Sequence, residues 1–170
     1  MKLVLTFVFT VFSTCIFSQN KPVPTDEFTI SGAIKKEITF NVSSLEKMPS
    51  TKIGDVDIAN HLGEKKGTAT NLSGIPIKTL LKDIEFTVES PKQMSEFFFV
   101  FTATDNYKVV YSWNEIFNTA TGDNIFLVTS KDGKKLSEMD DRLLTITKTD
   151  FKTGRRFVKG LNRILVQRVQ

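Results

Sequence analysis

The chain has 170 residues, 40% of them hydrophobic, with 23 Lys and Arg against 19 Asp and Glu. That length and apolar content suffice for one core, since about 150 residues bury close to 70% of the surface they expose when unfolded. A net charge of +4 is too mild for the broad basic face of a nucleic-acid binder, and a single cysteine excludes an internal disulfide.

Lys2 is the sole charge in residues 1–20, and Leu3 to Phe17 is mostly Leu, Val, Phe and Ile. That run is shorter than the roughly 20 apolar residues that span a bilayer. A basic start, a short apolar run and a small residue at its end describe a secretory signal. Residues 1–18 are read as that signal, with cleavage after Ser18, and the protein is expected to be exported, to a periplasm or out of the cell. A buried N-terminal strand or helix is the plain alternative. Cys15 lies inside the signal. A rival reading makes it a lipid-acceptor cysteine, the one route to a membrane here, but Phe12-Ser13-Thr14 before it suits that processing poorly. Either way the mature domain has no thiol to serve as metal ligand or nucleophile.

Residues 19–26 form a polar lead, and 27–170 one domain. Phe28 to Gly32 and Glu37 to Val42 alternate apolar and polar residues and predict half-buried strands. Ser43 caps a short helix that stops at Met48-Pro49. Residues 52–71 are polar, with Gly54, Gly63 and Gly67, and predict no regular element. Pro76 starts a helix with Ile77, Leu80 and Leu81 on one face. Phe97 to Thr102 reads as a central strand buried on both faces. Asp105-Asn106-Tyr107 turns the chain back into a strand over Lys108–Trp113, and a short helix begins at Trp113. Asn124 to Thr129 is a strand, Lys131-Asp132-Gly133-Lys134 a hairpin turn, Leu143 to Thr147 a strand. Leu161 to Val169 is the last strand, with Ile164, Val166 and Val169 inward. The sum is an α+β, mainly β fold of small sheets and short helices.

The order of these features is similar to that of a known family. Phe28-Thr29-Ile30-Ser31-Gly32, then Gly74-Ile75-Pro76-Ile77 with Leu80-Leu81, Asp105-Asn106-Tyr107, Asp132-Gly133-Lys134 with Arg142-Leu143-Leu144, and Gly154-Arg155-Arg156-Phe157-Val158-Lys159-Gly160-Leu161 form the series. It resembles the molybdopterin-binding domain of the sulfite oxidase family in its short, stand-alone exported form, over residues 27–169. The resemblance implies layered small sheets and a pterin-phosphate pocket. It also implies a molybdenum-ligating cysteine before the Gly-Ile-Pro-Ile motif, yet Gly63 to Leu72 contains none. Asn106 stands where the family has glycine.

Residues 150–170 hold six cations and one acid, Asp150. Lys159 matches the family's phosphate-binding lysine and Arg142 its arginine before the apolar strand, with Arg155 and Arg156 in the adjacent loop. These four are the candidate anion site, because guanidinium and ammonium groups suit phosphate or carboxylate oxygens. A solvated basic surface is the other reading, and Arg163 and Arg168 are read as such. Tyr107, Tyr111 and Trp113 are candidates for the pocket mouth or for ordinary core. His61 is the only histidine. With Asp55, Asp57 and Glu64 nearby it falls short of a metal set and reads as a surface-loop residue. Asn41 and Asn71 begin glycosylation triplets that matter only in a eukaryotic secretory host. The expectation is a non-redox binding module for a small anion or an unidentified protein partner, with no cofactor. The alternative is a molybdopterin-dependent oxidoreductase whose metal has no protein cysteine ligand.

Overall fold

A computed structural model describes residues 23–169. The expected signal over residues 1–18, with Cys15, and the first residues of the lead lie outside the described residues. The fold is α+β and mainly β, as expected.

The first sheet has the order β2-β1-β10-β5-β6. Its strands are β1 (Glu27–Gly32), β2 (Ile38–Asn41), β5 (Phe97–Ala103), β6 (Lys108–Ser112) and β10 (Leu161–Arg168). β1 runs parallel to β10 and the other pairs are antiparallel. The second sheet contains β3 (Thr51–Ala59), β4 (Lys65–Pro76), β7 (Ile125–Lys131) and β8 (Lys134–Lys135), with β9 (Thr145–Thr147) paired to β7.

Alternation decides which side chains enter the core. Phe97, Phe99 and Phe101 are buried, whereas Phe98 and Val100 between them are only half-buried. β5 is therefore buried on one face, not two. β7 is the strand covered on both sides: Ile125 and Leu127 join the main core, Phe126 and Val128 a second cluster with Ile53, Leu72, Met139, Leu144 and Ile146. Burying each such side chain contributes roughly 1.5–3 kcal/mol. Gly74 lets β4 approach β7, since a Cβ there would stand 2.6 Å from the Leu127 carbonyl oxygen.

Among the described residues, three short α-helices pack against the sheets. α1 (Val42–Leu45) starts two residues earlier than a Ser43 cap predicts, because Asn41 is the cap: its side chain accepts the Ser44 N–H at 2.8 Å and Ser44 returns the bond. α2 (Ile77–Leu81) buries Ile77, Leu80 and Leu81 as read from the sequence. α3 (Trp113–Phe117) is capped by Ser112, whose Oγ accepts from Glu115 N–H at 3.0 Å.

Three further expectations need correction. Residues 52–71 are not irregular: they form most of the β3–β4 hairpin. Val169 faces outward, 63% exposed. The strand expected from Leu143 is shorter, because Leu143 has φ +56 and pairing with β7 begins at Thr145.

Candidate anion-binding groove

The last loop of the chain is fastened to the open edge of β3. The Thr153 hydroxyl accepts from Ala59 N–H at 2.9 Å and donates to the Asp57 carbonyl at 2.6 Å. Gly154 follows, and a Cβ there would lie 2.7 Å from the Ala59 carbonyl oxygen. The Lys148 ammonium caps the Ile53 carbonyl at 2.8 Å. Further along, Val158 exchanges two backbone bonds with Thr145. The Tyr107 hydroxyl donates to the Arg155 carbonyl at 2.6 Å. Held in this way, the loop turns Arg155, Phe157 and Lys159 toward the hairpin.

Between loop and hairpin lie two adjoining cavities of about 340 and 240 Å³, which share Ile58, Lys66 and Phe157. Ile58 and Phe157 form the floor, packed on the second apolar cluster. The larger cavity is bordered by Asn60, His61 and Arg155, the smaller by Lys131, Asp132, Asp141 and Lys159. The turn at the hairpin tip is set by Asn60, whose Oδ1 accepts from Leu62 and Glu64 N–H groups, both at 3.0 Å.

Four cations, Lys66, Lys131, Arg155 and Lys159, face two carboxylates in this groove. The carboxylates are partly committed already. Lys131 Nζ lies 2.7 Å from both oxygens of Asp141, and Lys159 Nζ is 3.8 Å from the same group. Asp132 accepts from Thr70 N–H at 3.0 Å and Thr70 Oγ1 at 2.7 Å, which holds its carboxyl below the usual range. Lys66 leans on Glu64 at the rim at 2.9 Å. Arg155 is exposed and makes no ion pair among the described residues. Positive charge is thus left over, in a concave site with an apolar floor.

The structure divides the sequence-based candidates. Arg155 and Lys159 border the groove; Arg142 and Arg156 do not. Arg142 turns to the N-terminal lead, with Nε 2.8 Å from Asp26 Oδ1 in an orientation that makes no hydrogen bond, and donates from Nη1 to the Ser137 carbonyl at 3.3 Å. Arg156 is claimed by carboxylates: Nε donates to Asp150 at 2.7 Å, Nη1 contacts Glu115, and the guanidinium stacks 4.6 Å from the Tyr111 ring centre. The expectation that all four cations converge is therefore corrected. Their carboxylate partners come from other segments, which a basic run read alone does not display.

Tyr111 is not at a pocket mouth. It is fully buried, its hydroxyl bonds Thr147 Oγ1 at 2.8 Å, and burial pushes its pKa up to about 12. Trp113 packs against the core beside Phe117, with ring centres 5.2 Å apart. Tyr107, 40% exposed, does stand next to the groove, through Arg155. His61 is exposed at the hairpin tip. Asp55 accepts from Asn71 N–H at 2.8 Å, and Lys65 and Thr68 hold the Asp57 carboxyl below the usual range. Sequence reading missed Lys66, Lys131, Ile58 and Phe157. The one available signal was Lys131, next to a strong turn.

The fold family implied by the resemblance carries a molybdenum cofactor. The donor chemistry here does not fit a protein-ligated metal. No cysteine follows Cys15, and among the described residues no group of three His, Cys, Asp or Glu side chains could hold a metal ion. The cations do fit an anionic group.

No family model matches the chain, and no curated protein matches it. Solved structures do. One is the sulfane dehydrogenase SoxCD from Paracoccus pantotrophus, which superposes with a TM-score of 0.59 over 82% of this chain at 15% identity. The chain spans 37% of that chain's length. At such identity the likeness is one of fold: this mainly β domain has the architecture of part of a dehydrogenase.

Proposed function

We propose that the chain is an exported sulfite-oxidase-like domain that binds a small anion in the groove between the β3–β4 hairpin and the loop 150–160, without molybdenum redox chemistry. The observation that carries this reading is the surplus of cations there, Arg155 and Lys159 above all, over a floor of Ile58 and Phe157. A phosphate, sulfate or carboxylate group would relieve repulsion among these cations and gain charge-assisted hydrogen bonds. The missing thiolate supports a binding role over oxidation, since thiolate is the protein's metal ligand in the family the sequence resembles.

A second reading keeps redox chemistry. The fold shared with part of a dehydrogenase favours it, together with cations suited to a cofactor phosphate. The metal would then have no cysteine from the protein. Elemental analysis of protein purified from its native host separates the two. The binding reading expects no stoichiometric molybdenum, and about one molybdenum per chain would replace it with the second reading.

A further inference from the structure

We infer that the outer face of the first sheet is a docking surface for a partner protein whose contact patch is apolar at its centre and bordered by carboxylates. Strand register fixes this face. One row across the sheet reads Ser31–Leu165–Val100–Val110, so Leu165 and Val110 stand directly on either side of Val100. Phe98 is two residues from Val100 on the same strand and the same face. These four side chains form one contiguous apolar patch. None of them packs against either core cluster. Val110 is 55% exposed and the other three are half-buried. β6, which carries Val110, is also the edge of the sheet.

Charge selects the partner. On the adjoining row, Arg163 and Lys108 flank Thr102, with backbones about 10 Å apart across two strand spacings. Both are exposed, and neither makes an ion pair among the described residues. The acid of this face, Glu27, sits at the start of β1 beyond Thr29 and pairs with neither. A second copy stacked on this face would set Gln167 and Ser112 or the same two cations against them, and its acid here, Glu27, lies on β1, two strands from Val100 and away from the centre of the patch. A protein with Asp or Glu beside its apolar patch complements both features, and electrostatic complementarity of this kind sets specificity and association rate.

The test is photo-crosslinking in the native host, with p-benzoylphenylalanine replacing Val110 in the full chain and, as control, replacing Phe151, which is exposed on a loop of the second sheet. The expected result is a cross-link from position 110, absent from position 151, to one protein of a different sequence identified by mass spectrometry. The purified partner should bind the parent. The double change Lys108→Glu with Arg163→Glu should weaken binding about tenfold or more, and changing carboxylates at the cross-linked patch of the partner to lysine should restore it. Val110→Ser alone should also weaken binding, and it stands in if the double change lowers the folded fraction. No product from position 110, a product containing only a second copy, or binding indifferent to these changes overturns the inference. The groove is tested separately: Arg155→Ala with Lys159→Ala should cross-link from position 110 as the parent does.

Discussion

Thr153 reaches the backbone of Ala59 and Asp57 with a single hydroxyl, accepting from one at 2.9 Å and donating to the other at 2.6 Å. That contact seals part of the free edge of β3 and joins the two walls of the groove. Thr153→Val keeps the shape and removes both bonds. It should destabilise the fold by about 1 kcal/mol, the cost of leaving two part-buried backbone groups without this partner, and it should weaken phosphate binding. Thr153→Ser should restore most of both. Urea denaturation and calorimetry check this together.

Arg156 serves structure. Its side chain is 21% exposed, between Asp150 at 15% and Glu115 at 30%. Removing it leaves two carboxylates facing one another with no cation, so Arg156→Ala should cost about 3 kcal/mol. Changing Asp150→Asn and Glu115→Gln in the same variant removes the uncompensated charges and should recover part of that loss. Denaturation of parent, single and triple variants at neutral pH measures it.

Tyr111 gives an alkaline signature. Burial pushes its pKa up to about 12 from an unfolded value of about 10. Stability held by the neutral phenol is fully present below about pH 10 and is lost as pH rises toward 12. Tyr111→Phe should lose about 1–2 kcal/mol at neutral pH, because Thr147 loses its partner. It should also show a shallower decline above pH 10. Thermal midpoints across that interval report both effects.

Asp132, itself at φ +53, ties the β7–β8 turn to β4 by accepting two bonds from Thr70. Its folded carboxyl titrates below the usual range. The stability it lends is present above the unfolded value of about 3.9 and is lost as pH falls through the lower, folded one. Asp132→Asn tolerates the turn but cannot ionise. The gap between parent and Asn variant should be open at neutral pH and closed at strongly acidic pH, which a pair of denaturation curves decides.

Much of the fold was readable because local signals agreed with it. Pro76 with Ile77, Leu80 and Leu81 marks α2, and the Phe97 to Phe101 run marks β5. The second face of β5 misled because Phe98 and Val100 are as apolar as the buried residues between them. The β3–β4 hairpin was missed for another reason. Register shifts between Lys52 and Gly54, Gly54 and Val56, and Ile58 and Ala59 break the two-residue period that identifies a strand. The site was half legible. Arg155 and Lys159 stand out in a basic run, but Arg156 looks the same in sequence and is neutralised by Glu115 from α3 and Asp150. Lys131 and Lys66 join the groove only through the folding of the second sheet.

The most direct test of the groove is isothermal titration calorimetry with inorganic phosphate on the mature chain and on Arg155→Ala with Lys159→Ala. Sulfate and phosphate also stabilise proteins by exclusion from their surfaces, so a saturable heat is the readout and a rise in thermal midpoint is not. The account predicts saturable binding to the parent, weakened about tenfold or more in the double variant as two charge-assisted contacts are lost, and unchanged in Arg142→Ala. No saturable heat in the parent, or equal affinity in parent and double variant, would contradict it.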